Sequence, residues 1–133
     1  MKTKVIIERG TDGLYSYYMD DNRFDFALNG QGNTVEDAKN EFLLVYDEIK
    51  EMYKEEGKVT PELEFNYKYD VASFLSYYSK TLSLAGLYRL TGINQSQLSQ
   101  YVSGYRKPSP QTVKKIETSL HNFAKEISQV NFV

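Results

Sequence analysis

Cysteine is absent and histidine occurs once in the 133 residues, which removes disulfides, thiolate metal sites, cysteine nucleophiles and most histidine-centred zinc sites from consideration. No stretch approaches the roughly 18 uninterrupted apolar residues that a membrane span requires. The opening Met1-Lys-Thr-Lys-Val also lacks the apolar core of a signal peptide. The expectation is a soluble, cytoplasmic protein with no cofactor, no metal and no membrane partner. A chain this short makes one ordinary domain or two very small ones. Little room is left for a large enclosed active site, so an enzyme is not expected.

Acidic side chains are almost missing from the second half, and the overall charge of −2 conceals the division. Residues 1–70 hold nine Lys/Arg against sixteen Asp/Glu, a net of −7, with the acids densest between Glu36 and Glu56. Residues 71–133 hold seven bases (Lys80, Arg89, Arg106, Lys107, Lys114, Lys115, Lys125) against Glu117 and Glu126, a net of +5. The second half can therefore meet phosphates, while the first faces solvent or a basic partner.

Lys4-Val-Ile-Ile-Glu-Arg9 and Leu14-Tyr-Ser-Tyr-Tyr-Met19 are rich in β-branched and aromatic residues, and Gly10-Thr-Asp-Gly13 supplies a turn between them. The pattern predicts a β-hairpin. Phe24–Leu28 follows as a third strand, which Asn29-Gly-Gln-Gly32 then breaks. Thr34-Val-Glu-Asp37 resembles a capping box. Val35, Ala38, Phe42, Val45, Ile49 and Met52 then recur at helical spacing to about Glu56, where Gly57 stops the helix. Leu63–Tyr69 alternates as a fourth strand behind Pro61.

From Asp70 onward the signals are helical. Asp70, Ser83 and the region of Asn94 can start three helices, and Ser109-Pro110 a fourth whose apolar side carries Val113, Ile116, Leu120, Phe123 and Ile127. The predicted class is α+β: a small β-β-β-α-β sheet-plus-helix domain at 1–69, then an all-α four-helix domain at 70–133.

Within the second domain, a tight corner between two short helices calls for a left-handed glycine followed by an apolar residue. Gly92 and Ile93 fit those roles in Ser83-Leu-Ala-Gly-Leu-Tyr-Arg-Leu-Thr-Gly-Ile-Asn-Gln-Ser-Gln-Leu-Ser-Gln-Tyr-Val-Ser-Gly-Tyr-Arg-Lys-Pro-Ser-Pro110. This stretch resembles the phage-repressor (Xre/Cro) type of helix-turn-helix, with Leu87, Leu98 and Tyr101 at its buried positions. Gly104 and Arg106-Lys-Pro-Ser-Pro stand at its exit. The resemblance implies a helix from Gln95 to Ser103 in the major groove of double-stranded DNA. Gln95, Ser96, Ser99, Gln100 and Ser103 would then face the bases, and glutamine favours adenine edges. Gln97, Tyr105, Arg106, Lys107 and Lys114 are the implied phosphate contacts. Two positions differ from the family. Tyr88 replaces a small residue at the helix crossing, so that either the helices splay or the tyrosine swings outward, and Leu84 replaces a phosphate-contacting glutamine. One reading helix covers few base pairs, which implies a homodimer or higher assembly on a palindromic operator.

The first domain, with Gly30-Gln-Gly-Asn-Thr-Val-Glu-Asp-Ala38 opening its long acidic helix, resembles HicB antitoxins. Gly32, Thr34 and Ala38 match that family's G-x-T-x-x-E-A run, and Asp37 replaces its glutamate. The resemblance implies a truncated ribonuclease H fold without an active site. It also implies that the protein binds and blocks a small basic ribonuclease of the HicA kind and represses their shared operon. The alternative is a regulator whose first domain senses a small ligand or serves only dimerisation.

Other candidates carry less. Asp20, Asp21 and Asp25 could hold a divalent cation but read more simply as a solvated turn. Gly30-Gln-Gly32 is too short for a dinucleotide loop and reads as a turn into the helix. Tyr15, Tyr17, Tyr18, Phe24 and Phe26 could stack single-stranded bases, yet they lie in the acidic half and are assigned to sheet core and interface. His121 has no partner for catalysis and is assigned to surface or packing.

Overall fold

The computed structural model describes all residues, Met1–Val133, and divides into two compact units, Met1–Asp70 and Val71–Val133. In the first unit, β1 (Lys2–Arg9) buries Thr3, Val5 and Ile7 on one face and turns Lys2, Lys4 and Glu8 outward, as a strand with one covered face must. The Gly10–Gly13 turn, closed by Gly13 N–H to the Gly10 carbonyl at 3.0 Å, returns the chain as β2 (Tyr15–Met19), antiparallel to β1 with Val5 opposite Met19 and Arg9 opposite Tyr15. β3 (Asn29–Gly32) adds antiparallel to β2. α1 (Val35–Glu55) then carries the chain back to β4 (Glu64–Tyr69), which lies parallel to β1. The sheet order is β3-β2-β1-β4.

α1 starts where the capping signal places it: the Thr34 hydroxyl accepts the Asp37 amide at 3.0 Å, and Glu36 and Asp37 sit at the positive end of the helix dipole. Its inner face closes a core of Val5, Ile7, Tyr15, Tyr17, Leu28, Ala38, Phe42 and Tyr46. Phe65 meets Phe42 and Tyr46 edge-on, with ring centroids 5.0 and 5.2 Å away, the geometry that ring quadrupoles favour. Tyr15 and Tyr17 are thus core residues.

Three expectations from the sequence are corrected. The third strand is Asn29–Gly32, the segment read as a breaker, and Phe24–Leu28 is irregular. Side chains hold that irregular segment as a corner: Arg23 donates to the Lys2 carbonyl at 2.8 Å, Phe26 lies edge-on to Tyr53, and the Tyr53 hydroxyl donates to Asp25. Gly30 and Gly32 serve close approach rather than a turn. A Cβ on Gly30 would stand 2.2 Å from the Phe42 amide nitrogen and 2.4 Å from the Ala38 carbonyl oxygen, so the backbone of α1 rests directly on β3. The outward Gln31 N–H of this edge strand is taken by Glu41 at 2.9 Å. Finally, Met52 is exposed, and Tyr46 and Tyr53 take buried places on α1. Both tyrosines have outlets for their hydroxyls, since Tyr46 donates to the Pro61 carbonyl and accepts from Leu63 N–H.

The second unit comprises α2 (Val71–Tyr77), α3 (Leu84–Thr91), α4 (Gln95–Val102) and α5 (Pro110–Ser128). The last three each begin at a side-chain cap. Ser83 accepts from Gly86 N–H at 3.0 Å, Asn94 from Gln97 N–H at 2.8 Å, and Ser109 from Thr112 N–H at 3.2 Å, each satisfying an amide that the helix itself leaves unpaired. Leu75, Leu87, Ile93, Leu98, Tyr101 and Ile116 form the core, with Val71, Phe74, Leu82, Leu84, Val102 and Leu120 packed around it. No helix is long and apolar enough to cross a membrane.

Candidate nucleic-acid interface

The corner between α3 and α4 fixes the direction of the latter. Gly92 takes the left-handed conformation, φ 75°, and its N–H closes on the Tyr88 carbonyl, a helix ending that costs glycine little and a side-chain-bearing residue more. Ile93 drops into the core immediately afterwards. The buried Thr91 hydroxyl donates to the Leu87 carbonyl at 2.7 Å and accepts from Ile93 N–H at 3.1 Å, so one side chain ties the last turn of α3 to the residue that leads into α4. Leu98 and Tyr101 bury the inner side of α4.

The opposite side of α4 is polar and open. Gln95, Ser96 and Ser99 are exposed, and Gln100 is half-buried. Ser103, exposed at the end of the helix, spends its hydroxyl locally, donating to the Gln100 carbonyl at 3.1 Å and accepting from Tyr105 N–H. Of the residues read as base-facing, the first three therefore have free access to solvent, and Ser103 is engaged with backbone.

The residues read as phosphate contacts also differ among themselves. Tyr105 is 83% exposed and Arg106 and Lys107 are exposed beside it, on the loop that Gly104 enters with φ 77°. The Arg106 backbone N–H is anchored on the Gln100 carbonyl, so this basic loop is held against the end of α4. Gln97 points its amide at the Tyr101 hydroxyl, 2.7 Å away, a contact that fixes its side chain along α4. Lys114 lies on exposed α5 within 3.9 Å of Glu117, an ion pair that solvent leaves weak.

At the helix crossing, Tyr88 swings outward, 48% exposed, while Leu84 packs on the core in place of a polar contact. One residue escaped the sequence reading: the Lys115 ammonium reaches the corner, 3.9 Å from where a Cβ on Gly92 would lie. No motif announces it, because only the packing of α5 on α3 brings it there.

In the first unit the acidic residues at 20, 21 and 25 have separate partners. Asp20 pairs with Lys4 at 2.8 Å. Asp21 accepts from Arg23 at 2.9 Å and from the Thr3 hydroxyl, and these hydrogen bonds hold its carboxyl well below the usual carboxylate range. Asp25 accepts from Tyr53. No group of three or more His, Asp or Glu side chains converges on a point that could hold a metal ion.

This geometry belongs to a recognised class. Residues 79–121 match a family model described as helix-turn-helix, spanning the whole of α3 and α4 and α5 as far as His121. The chain thus carries a DNA-binding helix-turn-helix, the reading element of transcriptional regulators. No curated protein and no solved structure matches the chain.

Proposed function

We propose that the protein is a dimeric, sequence-specific transcriptional repressor, the antitoxin of a HicA/HicB-type pair that neutralises a small basic ribonuclease and represses its own operon. The observation that carries the DNA half is the open, uncharged face of α4, with Gln95, Ser96 and Ser99 exposed and Arg106 and Lys107 held at its end. Amide and hydroxyl groups discriminate base edges, and the flanking cations supply sequence-independent affinity. The antitoxin half is supported by the β-β-β-α-β order of the first unit and by its net charge of −7, which suits a basic protein partner because complementary potentials speed encounter and fix orientation.

The test is a gel-shift titration on the protein's own promoter at several salt concentrations, with and without the product of the adjacent gene. Wild type binds, and a small basic neighbouring protein alters the complex. Replacing Arg106 and Lys107 by alanine weakens binding to all sequences and flattens the log–log salt slope by about 2, near one counterion per phosphate contact. An unchanged slope removes those two residues from the interface, and absence of any shift removes the repressor reading.

A further inference from the structure

Arg106 and Lys107 stand beyond the trailing end of α4. The leading end, which the chain enters from the Gly92 corner, receives its cation from another helix. Lys115 is exposed on α5, and its ammonium lies 3.9 Å from where a Cβ on Gly92 would be. Residue 92 is an exposed glycine, so no side chain of its own stands between that ammonium and an approaching partner. Asn94, Gln95 and Ser96, all exposed, follow within four residues. The same side of α5 is uncharged apart from its lysines: an open surface groove is lined by Lys114, Lys115 and the amide and hydroxyl side chains of Gln111, Thr112, Thr118 and Ser119, without a carboxylate. Lys114 pairs with Glu117 at 3.9 Å, whereas Lys115 is in none of the chain's ion pairs.

We propose that Lys115 takes a DNA phosphate at the leading end of α4, so that the reading helix is held to the duplex at both ends and not only through Arg106 and Lys107. The inference rests on the DNA-reading face assigned above and adds a residue to it. The chemistry fits: an ammonium beside neutral amide and hydroxyl donors is the set of groups that meets phosphate oxygens, and a compact charge on a flexible stem needs no exact bidentate geometry. The position fits as well. α4 has eight residues, a length of about 12 Å, which is close to the major-groove width of about 12 Å. Cations at its two ends therefore reach different phosphates instead of competing for one. The backbone of bound DNA, and not a free phosphate, is the ligand because the ammonium stands beside the residues that face the bases.

Salt-dependent promoter binding by the full-length protein tests the assignment. Lys115→Ala lowers affinity roughly tenfold at about 0.1 M salt and flattens the log–log salt slope by about 1, the signature of one lost phosphate contact. Lys115→Arg, which keeps the charge, retains the slope. Lys125→Ala removes an equally exposed cation about 15 Å further along α5 and leaves binding as in wild type. The slope falls by the same amount when Lys115→Ala is added to the Arg106→Ala, Lys107→Ala protein, because the two ends hold separate phosphates. The thermal midpoint of Lys115→Ala stays that of wild type, which separates a lost contact from a loosened fold. A slope unchanged by Lys115→Ala, or changed equally by Lys125→Ala, would overturn the proposal while leaving the DNA-reading face intact. A loss seen in wild type but absent from the Arg106→Ala, Lys107→Ala background would overturn the separate grip. A wild type that binds no promoter DNA would overturn the repressor reading and this contact with it.

Discussion

The two units are held together by different physics. In the first, a helix lies so close to an edge strand that no side chain fits between them at Gly30, and a dense group of aromatic rings fills the remaining space. In the second, a six-residue buried core is framed by four helices, of which α3, α4 and α5 each have the first turn secured by one side-chain oxygen. The contrast teaches that the first unit is intolerant of added volume. The second depends on backbone conformation at its corner and on a set of local polar bonds worth about 1 kcal/mol each.

Gly30→Ala is the harshest way to probe this contrast. The new methyl would collide with the backbone of α1 rather than with a movable side chain, and a cost of about 3 kcal/mol or more is expected. Amide hydrogen exchange should show protection lost across β1 to β4 and α1 but kept in α3 and α4. Equal loss in both units would show that they unfold as one. Gly92→Ala should be milder. The site has space, so the cost is that of a left-handed alanine, about 1–2 kcal/mol. It should appear as a lower thermal midpoint and weaker promoter binding; unchanged values for both would mean that the corner does not require its conformation.

The smallest effect concerns acid. The Asp21 carboxyl, kept ionised by Arg23 and Thr3, has a folded-state pKa below the ordinary 3.8. Its contribution is therefore complete above that value and is lost as the pH falls below about 4 toward the folded-state pKa. Asp21→Asn should lower stability at neutral pH and flatten the decline below pH 4. A decline as steep as in wild type would assign acid sensitivity to other groups.

The same contrast explains what could be read from the chain. Thr34, Ser83, Asn94 and Ser109 were legible as helix starts because a cap is an interaction between a residue and an amide three positions on. The Gly92–Ile93 corner was legible for a similar reason. Asn29–Gly32 was not, since two glycines near an asparagine look like a turn, and their place in the sheet is decided by a helix that follows them. Tyr46 and Tyr53 are not legible as core residues because burying a tyrosine requires a partner for its hydroxyl, and the partners, Pro61 and Asp25, are remote in sequence. At the candidate interface, the outward residues of α4 are what the helix-turn-helix resemblance implies, and Gln95, Ser96 and Ser99 are exposed there. The hydroxyl of Ser103 turned back on its own backbone and the arrival of Lys115 at the corner depend on three-dimensional packing.

The Thr91 hydroxyl, bonded at once to the carbonyl of Leu87 and the amide of Ile93, makes the elbow between α3 and α4 a braced joint. Rocking one rod against the other would strand two polar groups away from water, so the pair moves as a single lever. Bending at that joint costs about 1–3 kcal/mol for each buried group left unpaired, so a force applied to α4 is passed on to α3.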